Sequence, residues 1–167
     1  MKLLLSTLLL LVVNTTPFYA QPENDDCTSS ITLCANQALS GNTQDATISI
    51  CVGCPDGVTA AGNFCFSLEN TVWFSFTTNS IGGDAQIDFS NMAFDVTAGF
   101  GSSLEAVIVD AGVACDESTY NAVSNCETTI DGTVGQSTLT AVGLQANTTY
   151  YVQIDGSMTG VDTEPAS

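Results

Sequence analysis

The sequence predicts an all-β fold, a sandwich of short antiparallel strands, from three observations. Short runs rich in aromatic and β-branched residues recur along the chain and are separated by Gly, Asn and Asp. Patterns typical of amphipathic helices are nearly absent. The chain also has 7 cysteines in 167 residues, a density typical of small exported domains held by disulfides. Because the strands are short and regularly spaced, they favour a sandwich over alternating strands and helices.

Alternation of apolar and polar residues places the strands. The run at 71–77 (TVWFSFT) is the most apolar, with Val72, Phe74 and Phe76 on one face and Trp73 on the other. A shorter candidate lies near the start of the chain. In chain order, strands are predicted at 46–50, 71–77, 85–89, 94–97, 104–109, 137–142 and 148–155.

The segment 144–156 (LQANTTYYVQIDG) is the clearest single element, and it predicts a core strand. Its alternation gives two faces, Tyr150, Val152 and Ile154 on one and Tyr151, Gln153 and Asp155 on the other. The pair Asp155 and Gly156 is typical of a turn, so the strand is predicted to end there.

The first 20 residues have the layout of a cleavable export signal. One positive charge, Lys2, precedes an apolar run from Leu3 to Val13, and a polar stretch closes on the small residue Ala20. The apolar run is short for a membrane span, and an uncleaved anchor is the alternative. Cleavage before Gln21 predicts a secreted or cell-surface protein that is not inserted in a membrane.

Removal of the signal leaves a single domain. We predict a signal peptide at 1–20, a β-sandwich domain at 21–160 and a linker or truncated end at 161–167. The remaining chain is long enough to bury a real core.

The charge balance excludes several partners. The chain has 18 Asp and Glu, no His, and a single basic residue that lies in the signal. No side-chain salt bridge can then form within the exported domain, which must rely on apolar burial, backbone hydrogen bonds and disulfides. Nucleic acid and anionic membranes would be repelled. The acidity is typical of a soluble or salt-adapted surface, and the sharper alternative is that some carboxylates bind calcium.

The cysteines predict a disulfide framework. All seven are candidates for disulfide bonding: Cys27, Cys34, Cys51, Cys54, Cys65, Cys115 and Cys126. The predicted bridges are Cys115 with Cys126, Cys27 with Cys34, and one within the cluster Cys51, Cys54 and Cys65. An odd count leaves one cysteine over, which indicates an intermolecular bond or a last strand missing from the chain. A zinc site at Cys51 and Cys54 is disfavoured because no second close pair and no His accompany it.

Four motifs resemble a recurrent module of secreted Bacteroidetes-type surface proteins, distantly similar to the bacterial pre-peptidase C-terminal domain. They are NDDCTSSITL at 24–33, ENTVWFSFT at 69–77, LEAVIVD at 104–110 followed by Cys115 and Cys126, and LQANTTYYVQIDG at 144–156. The resemblance covers most of the chain after the signal. The modules usually close with another cysteine-bearing strand, and here the sequence stops at Ser167.

The resemblance implies a jelly-roll-like β-sandwich that binds polymers, glycans or neighbouring proteins without catalysis. Some related modules bind calcium through an acidic N-terminal segment and acids near the first core strand. The matching positions here are Glu23, Asn24, Asp25, Asp26 and Glu69. The alternative is that 24–26 is only a polar lead into a strand, since calcium needs six to eight converging oxygens.

Function is therefore expected to be noncatalytic binding or adhesion outside the cell, with a glycan, a protein or neighbouring domains as partner. Trp73 and Tyr151 are candidate ligand contacts, although a Trp in a strand that is apolar on both faces is more often core. A structural spacer with no ligand is the alternative.

An enzyme is disfavoured because the exported domain lacks His, Lys and Arg, the usual bases and nucleophile partners. Carboxylates alone can cleave glycosides, but spacing singles out no pair among Glu69, Asp84, Asp88 and Glu105.

Overall fold

The computed structural model describes residues 20–47, 66, 68, 70–94, 102–131 and 137–156, which form an all-β sandwich of two sheets. Two short 3-10 helices, Cys27–Ser29 and Glu117–Thr119, accompany the strands. The strands are β1 (Ile31–Thr32), β2 (Val72–Thr77), β3 (Gly83–Phe89), β4 (Leu104–Ala111), β5 (Tyr120–Ala122), β6 (Glu127–Ile130), β7 (Ser137–Leu144) and β8 (Thr149–Gly156).

The two sheets differ in size and composition. The larger has the order β1-β2-β8-β4-β5, with β6 also paired to β4, and the smaller pairs β3 with β7. Successive strands β2, β3 and β4 alternate between the sheets, and so do β7 and β8, whereas β4, β5 and β6 all lie in the larger sheet. One pairing departs from the antiparallel prediction, because β1 runs parallel to β2. Residues 31–32 add to the edge of β2 from a distant part of the chain, so no hairpin fixes their direction.

The main core lies between the two sheets. Val72 and Phe74 of β2 and Ile108 of β4 face Leu139 and Ala141 of β7, and all of them are buried. Because side chains alternate along a strand, this assigns the even-numbered residues of β2 and β8 to the main core, as the sequence predicts.

The opposite side of the large sheet, which we call the second face, is also largely buried. Trp73, Val107, Val109 and Tyr151 form a separate cluster there with Tyr120. Burial on both sides explains why β2 and β4 are apolar at nearly every position.

Five of the predicted strands are confirmed, as β2, β3, β4, β7 and β8. The predicted strands at 46–50 and 94–97 lie largely outside the described residues. Their described residues, Ala46, Thr47 and Phe94, are not in a strand. The short strands β1, β5 and β6 were missed because two to four residues carry too little periodicity to detect.

The predicted turn at Asp155 and Gly156 is wrong. Strand β8 continues through Gly156, and Asp155 pairs with Glu105 of β4. Turn propensity is overridden here by pairing with β4, in which Asp155 and Gly156 lie opposite Glu105 and Leu104. The predicted signal peptide and the predicted tail at 161–167 lie outside the described residues.

Disulfide bonding is confirmed, but two of the three predicted pairings are wrong. Cys27 is bonded to Cys115, 88 residues away, with the two Cα atoms 5.5 Å apart. The predicted pairs Cys27 with Cys34 and Cys115 with Cys126 are thereby excluded. Cys126 is disulfide-bonded to a residue outside the described ones, and Cys34 is free and exposed. The predicted pairs joined cysteines that are close in the sequence. In the fold, the first 3-10 helix lies beside the loop after β4, and this brings Cys27 to Cys115 instead.

The cysteines of the predicted cluster, Cys51, Cys54 and Cys65, lie outside the described residues.

Gly82, at the turn into β3, is expected to tolerate no side chain. Its φ is +74°, and a Cβ atom would lie 2.2 Å from the backbone oxygen of Leu144. We expect Gly82→Ala to lower the free energy of unfolding by about 1–3 kcal/mol, measured by chemical denaturation. Gly143→Ala is the matched control, because Gly143 has a similar φ of +67° and no atom within 4 Å of its Cβ position. Equal losses in the two variants would contradict the steric clash.

Candidate functional site

The acidic N-terminal segment lies along the outer edge of β2. The side-chain amide of Asn24 donates to the backbone oxygen of Trp73 at 2.9 Å, and the Trp73 backbone N–H donates back to the Asn24 oxygen at 2.9 Å. Farther along, the Leu33 backbone N–H donates to the Ser75 oxygen at 2.7 Å. These bonds cover an edge strand that would otherwise offer unpaired backbone groups to other chains.

The residues predicted to bind calcium do not all converge. Both carboxylate oxygens of Asp25 accept hydrogen bonds from Thr47, one from its backbone N–H at 2.6 Å and one from its hydroxyl at 2.8 Å. Asn24 is buried against β2, whereas Glu23 and Asp26 are exposed. Glu69 lies outside the described residues. In the described segment, Asn24 and Asp25 thus have structural bonds, and the exposed acids add few of the oxygens that calcium needs.

More broadly, no group of three or more His, Cys, Asp or Glu residues that could hold a metal ion occurs in the described part of the chain.

The two aromatic residues predicted as ligand contacts are buried. Trp73 has no exposed surface, and Tyr151 is 8% exposed. Trp73 meets Tyr120 edge to face, with the ring centres 5.6 Å apart, and Tyr120 stacks on Tyr151 at 6.3 Å. Neither ring has the exposure that a ligand contact requires, and for Trp73 the alternative of a core residue is confirmed, because the second face is covered and the rings pack against each other there.

Tyr120 links this aromatic cluster to the disulfide. Its hydroxyl donates to the sulfur of Cys27 at 3.0 Å. Burial raises the pKa of the Tyr120 phenol above its ordinary value, and the nearby carboxylates of Glu117 and Asp116 raise it further. The phenol therefore stays neutral and remains a hydrogen-bond donor at physiological pH.

An exposed polar surface lies on the other side of the molecule, on the small sheet. Strands β3 and β7 direct their apolar residues, including Ile87 and Leu139, into the main core. The intervening residues face outward, and we call them the outer face: Asp84, Gln86, Asp88, Thr138, Thr140 and Val142. All but Thr138 are exposed, and Val142 retains 71% of its surface.

Hydrogen bonds fix the side chains of the outer face. One carboxylate oxygen of Asp88 accepts from Gln86 at 2.8 Å and from the Thr138 hydroxyl at 2.9 Å. Asp84 accepts from the backbone N–H of Gly143 at 2.9 Å. The bonds from Gln86 and Thr138 lower the pKa of Asp88 below its ordinary value of 3.8, so this carboxylate is charged at physiological pH.

Asn125, which the sequence analysis missed, bonds to the edge of β7 that does not pair with β3, next to the outer face. Its amide accepts from the Thr140 backbone N–H at 2.6 Å and donates to the Thr138 oxygen at 3.0 Å, so it takes the place of a neighbouring strand. The same amide nitrogen also donates to Glu127 at 2.6 Å. A single Asn in a polar loop gives no sequence signal for such a role.

The carboxylates considered for glycoside cleavage are split between opposite sides of the sandwich. Asp84 and Asp88 lie on the outer face of the small sheet, and Glu105 lies on the second face of the large sheet. Among the described candidates, only Asp84 and Asp88 share a surface, and both belong to the same strand. No two of the described candidates face each other across a cleft.

Comparisons with known proteins add no relative. No family model, no curated protein and no solved structure matches this chain. Among the described residues, no helix has the length and apolar character needed to cross a membrane.

Proposed function

We propose that this chain is a noncatalytic binding module that acts outside the cytoplasm, secreted or at a cell surface. The observation that carries the proposal is the outer face, a mostly polar and exposed surface on which Gln86 and Thr138 are hydrogen-bonded to Asp88 and the Gly143 backbone is bonded to Asp84. Side chains already held in place lose less entropy when a partner binds. The export pattern of the first 20 residues and the Cys27–Cys115 disulfide support an oxidising location.

The chemistry of the outer face favours a protein partner with basic groups. Asp84 and Asp88 are both exposed, and the whole chain has a formal net charge of −17. Complementary charge speeds encounter and selects partners. Trp73 and Tyr151 are buried, so neither offers a ring for stacking on a sugar. Two alternatives to a basic protein partner are a glycan bound through hydrogen bonds alone and a spacer domain without a ligand.

The all-β sandwich fold also supports a relationship to the secreted surface modules that the four motifs resemble, and we propose that relationship together with the function.

The binding role is tested on arrays of glycans and of peptides with graded positive charge. We expect retention by basic peptides that weakens with salt, and at least about a tenfold loss of affinity in the double variant Asp84→Asn, Asp88→Asn. Because the hydrogen bonds from Gln86 and Thr138 lower the pKa of Asp88, this carboxylate should stay charged to lower pH than an ordinary aspartate, and its contribution to binding should be lost only as the pH falls through that lowered pKa.

The matched control is the double variant Asp26→Asn, Asp45→Asn, which removes the same charge from exposed positions off the outer face. If both double variants lost affinity equally, general charge attraction would explain binding, and the outer face would not be the site. Retention by neither array would favour the spacer.

A further inference from the structure

Strand β3 has an edge that faces away from β7, and we call it the free edge. Among the described residues, no strand pairs with it. We propose that the free edge binds an extended segment of a partner protein as an added antiparallel strand, in which basic residues alternate with apolar ones. This mode of binding rests on the role proposed above, because it specifies how a basic partner would contact the outer face.

Other strand edges of the two sheets are covered within the chain. The N-terminal segment lies along β2, where the backbone of Trp73 bonds to Asn24. On the far side of β7, Asn125 bonds to backbone groups of Thr138 and Thr140. The free edge of β3 has seven residues, Gly83–Phe89, and an uncovered strand of that length offers backbone donors and acceptors to another chain.

The bonds of β7 identify which backbone groups point out of the free edge. The N–H of Thr140 and the oxygen of Thr138 both bond to Asn125, so these two residues direct their backbone groups away from β3. In an antiparallel pair, two directly opposed residues either exchange hydrogen bonds or both point away from each other. Gln86 lies opposite Thr140, and Asp88 lies opposite Thr138. The N–H and C=O groups of Gln86 and Asp88 therefore face out of the free edge.

The side chains along the free edge select basic residues in the partner. Asp84 and Asp88 are exposed on the outer face, about 13 Å apart along the strand. Opposite charges on directly opposed residues stabilise a pair of strands, whereas like charges destabilise it. A second copy of this chain is therefore a poor occupant, because the chain has no basic side chain after Lys2 and would bring further carboxylates to the edge.

The other side of β3 selects apolar residues in the partner. Ala85 and Ile87 pack against the main core but remain partly exposed. Their partners in β7, Ala141 and Leu139, have no exposed surface. The main core is thus less well covered at the free edge, and apolar side chains of an added strand would bury Ala85 and Ile87. Because side chains alternate along a strand, the partner needs basic residues outward and apolar residues inward.

The first test compares two peptides of equal composition and charge, one that alternates lysine and valine (KVKVKVK) and one with the lysines in a block (KKKKVVV). Binding to the purified chain is measured by calorimetric titration. We expect at least about a tenfold higher affinity for the alternating peptide, because only that pattern matches both sides of β3. Equal affinities would overturn the added strand, although a basic partner would still bind the outer face. If no basic peptide bound, the proposed binding role would fail as well.

Methylation of backbone nitrogens in the alternating peptide separates strand addition from charge attraction. When the lysines lie beside Asp84 and Asp88 in an antiparallel strand, their N–H groups face β3 and the valine N–H groups face solvent. Methylation of the lysine nitrogens should therefore weaken binding at least about tenfold more than methylation of the valine nitrogens, since both changes keep every charge. Equal losses from the two methylations would contradict the added strand.

Gln86→Pro tests the free edge from the side of the chain. Proline removes an outward N–H that the pairing with β7 does not use. Gln86→Ala is the matched comparison, because it loses the same side chain but keeps the N–H. The proline variant should bind the alternating peptide at least about tenfold more weakly than the alanine variant. Equal affinities of the two folded variants would overturn the proposal, and the peptide methylation decides the question if melting shows that Gln86→Pro does not fold.

Discussion

Replacing Cys27 and Cys115 together by serine is expected to lower the free energy of unfolding by about 2–5 kcal/mol. The disulfide closes a loop with a sequence separation of 88 residues, and chain-entropy arguments give about 4–5 kcal/mol for a loop of this length. It also anchors the N-terminal 3-10 helix on the second face, where Cys27 is buried and its sulfur accepts from Tyr120. No salt bridge between side chains after Lys2 can take over this role, because Lys2 is the only basic side chain of the chain.

The measurement is chemical denaturation of the double variant beside Cys34→Ser. Cys34 is free and exposed, so its replacement should change stability by no more than about 0.5 kcal/mol. A double variant as stable as the unchanged chain would mean that Cys27 and Cys115 are not bonded to each other in solution. Mass mapping under nonreducing conditions identifies the bonded partners directly, including the partner of Cys126.

Truncation of Trp73 to alanine is expected to lower the free energy of unfolding by about 3–5 kcal/mol. Trp73 has no exposed surface and lies between the Asn24 backbone at the sheet edge and the ring of Tyr120. Its loss would leave a cavity beside Val107 and Tyr151 that the paired strands cannot close by moving. Trp73→Phe, which keeps an aromatic ring, should cost less, and Val142→Ala on the exposed outer face should change stability little.

Fluorescence gives an independent measure of the same burial, because Trp73 is the only tryptophan of the chain. We expect blue-shifted emission that soluble quenchers reach only after unfolding. Emission typical of an exposed indole, together with a small loss of stability in Trp73→Ala, would restore Trp73 as a candidate ligand contact.

Periodicity predicted the main strands and the faces of their residues, because alternation along a strand is a local property. Phe74 and Trp73 separate into two cores as expected, and so do Val152 and Tyr151. The very short strands β1, β5 and β6 escaped prediction. They exist because a longer strand beside them offers unpaired backbone groups; their Ile, Thr and Tyr residues favour strands, but runs of two to four residues are too short to show alternation.

The candidate sites were less predictable, because they join residues that are far apart in the chain. The acidic run at 23–26 attracted attention by composition, yet Asn24 and Asp25 form bonds that dock the segment on β2 and on Thr47. The outer face depends on Asp88 meeting Thr138, 50 residues later. Neither residue stands out in the sequence.

By itself, the sequence determined the all-β class, the lack of basic side chains after Lys2 and the presence of disulfides, since these follow from local patterns and composition. Only the tertiary structure decided which cysteines pair, that Trp73 is enclosed, and that Glu105 lies beside Asp155. The physical reason is that strand register and sheet order bring together residues that are distant in the chain, and no local pattern records those long-range pairings.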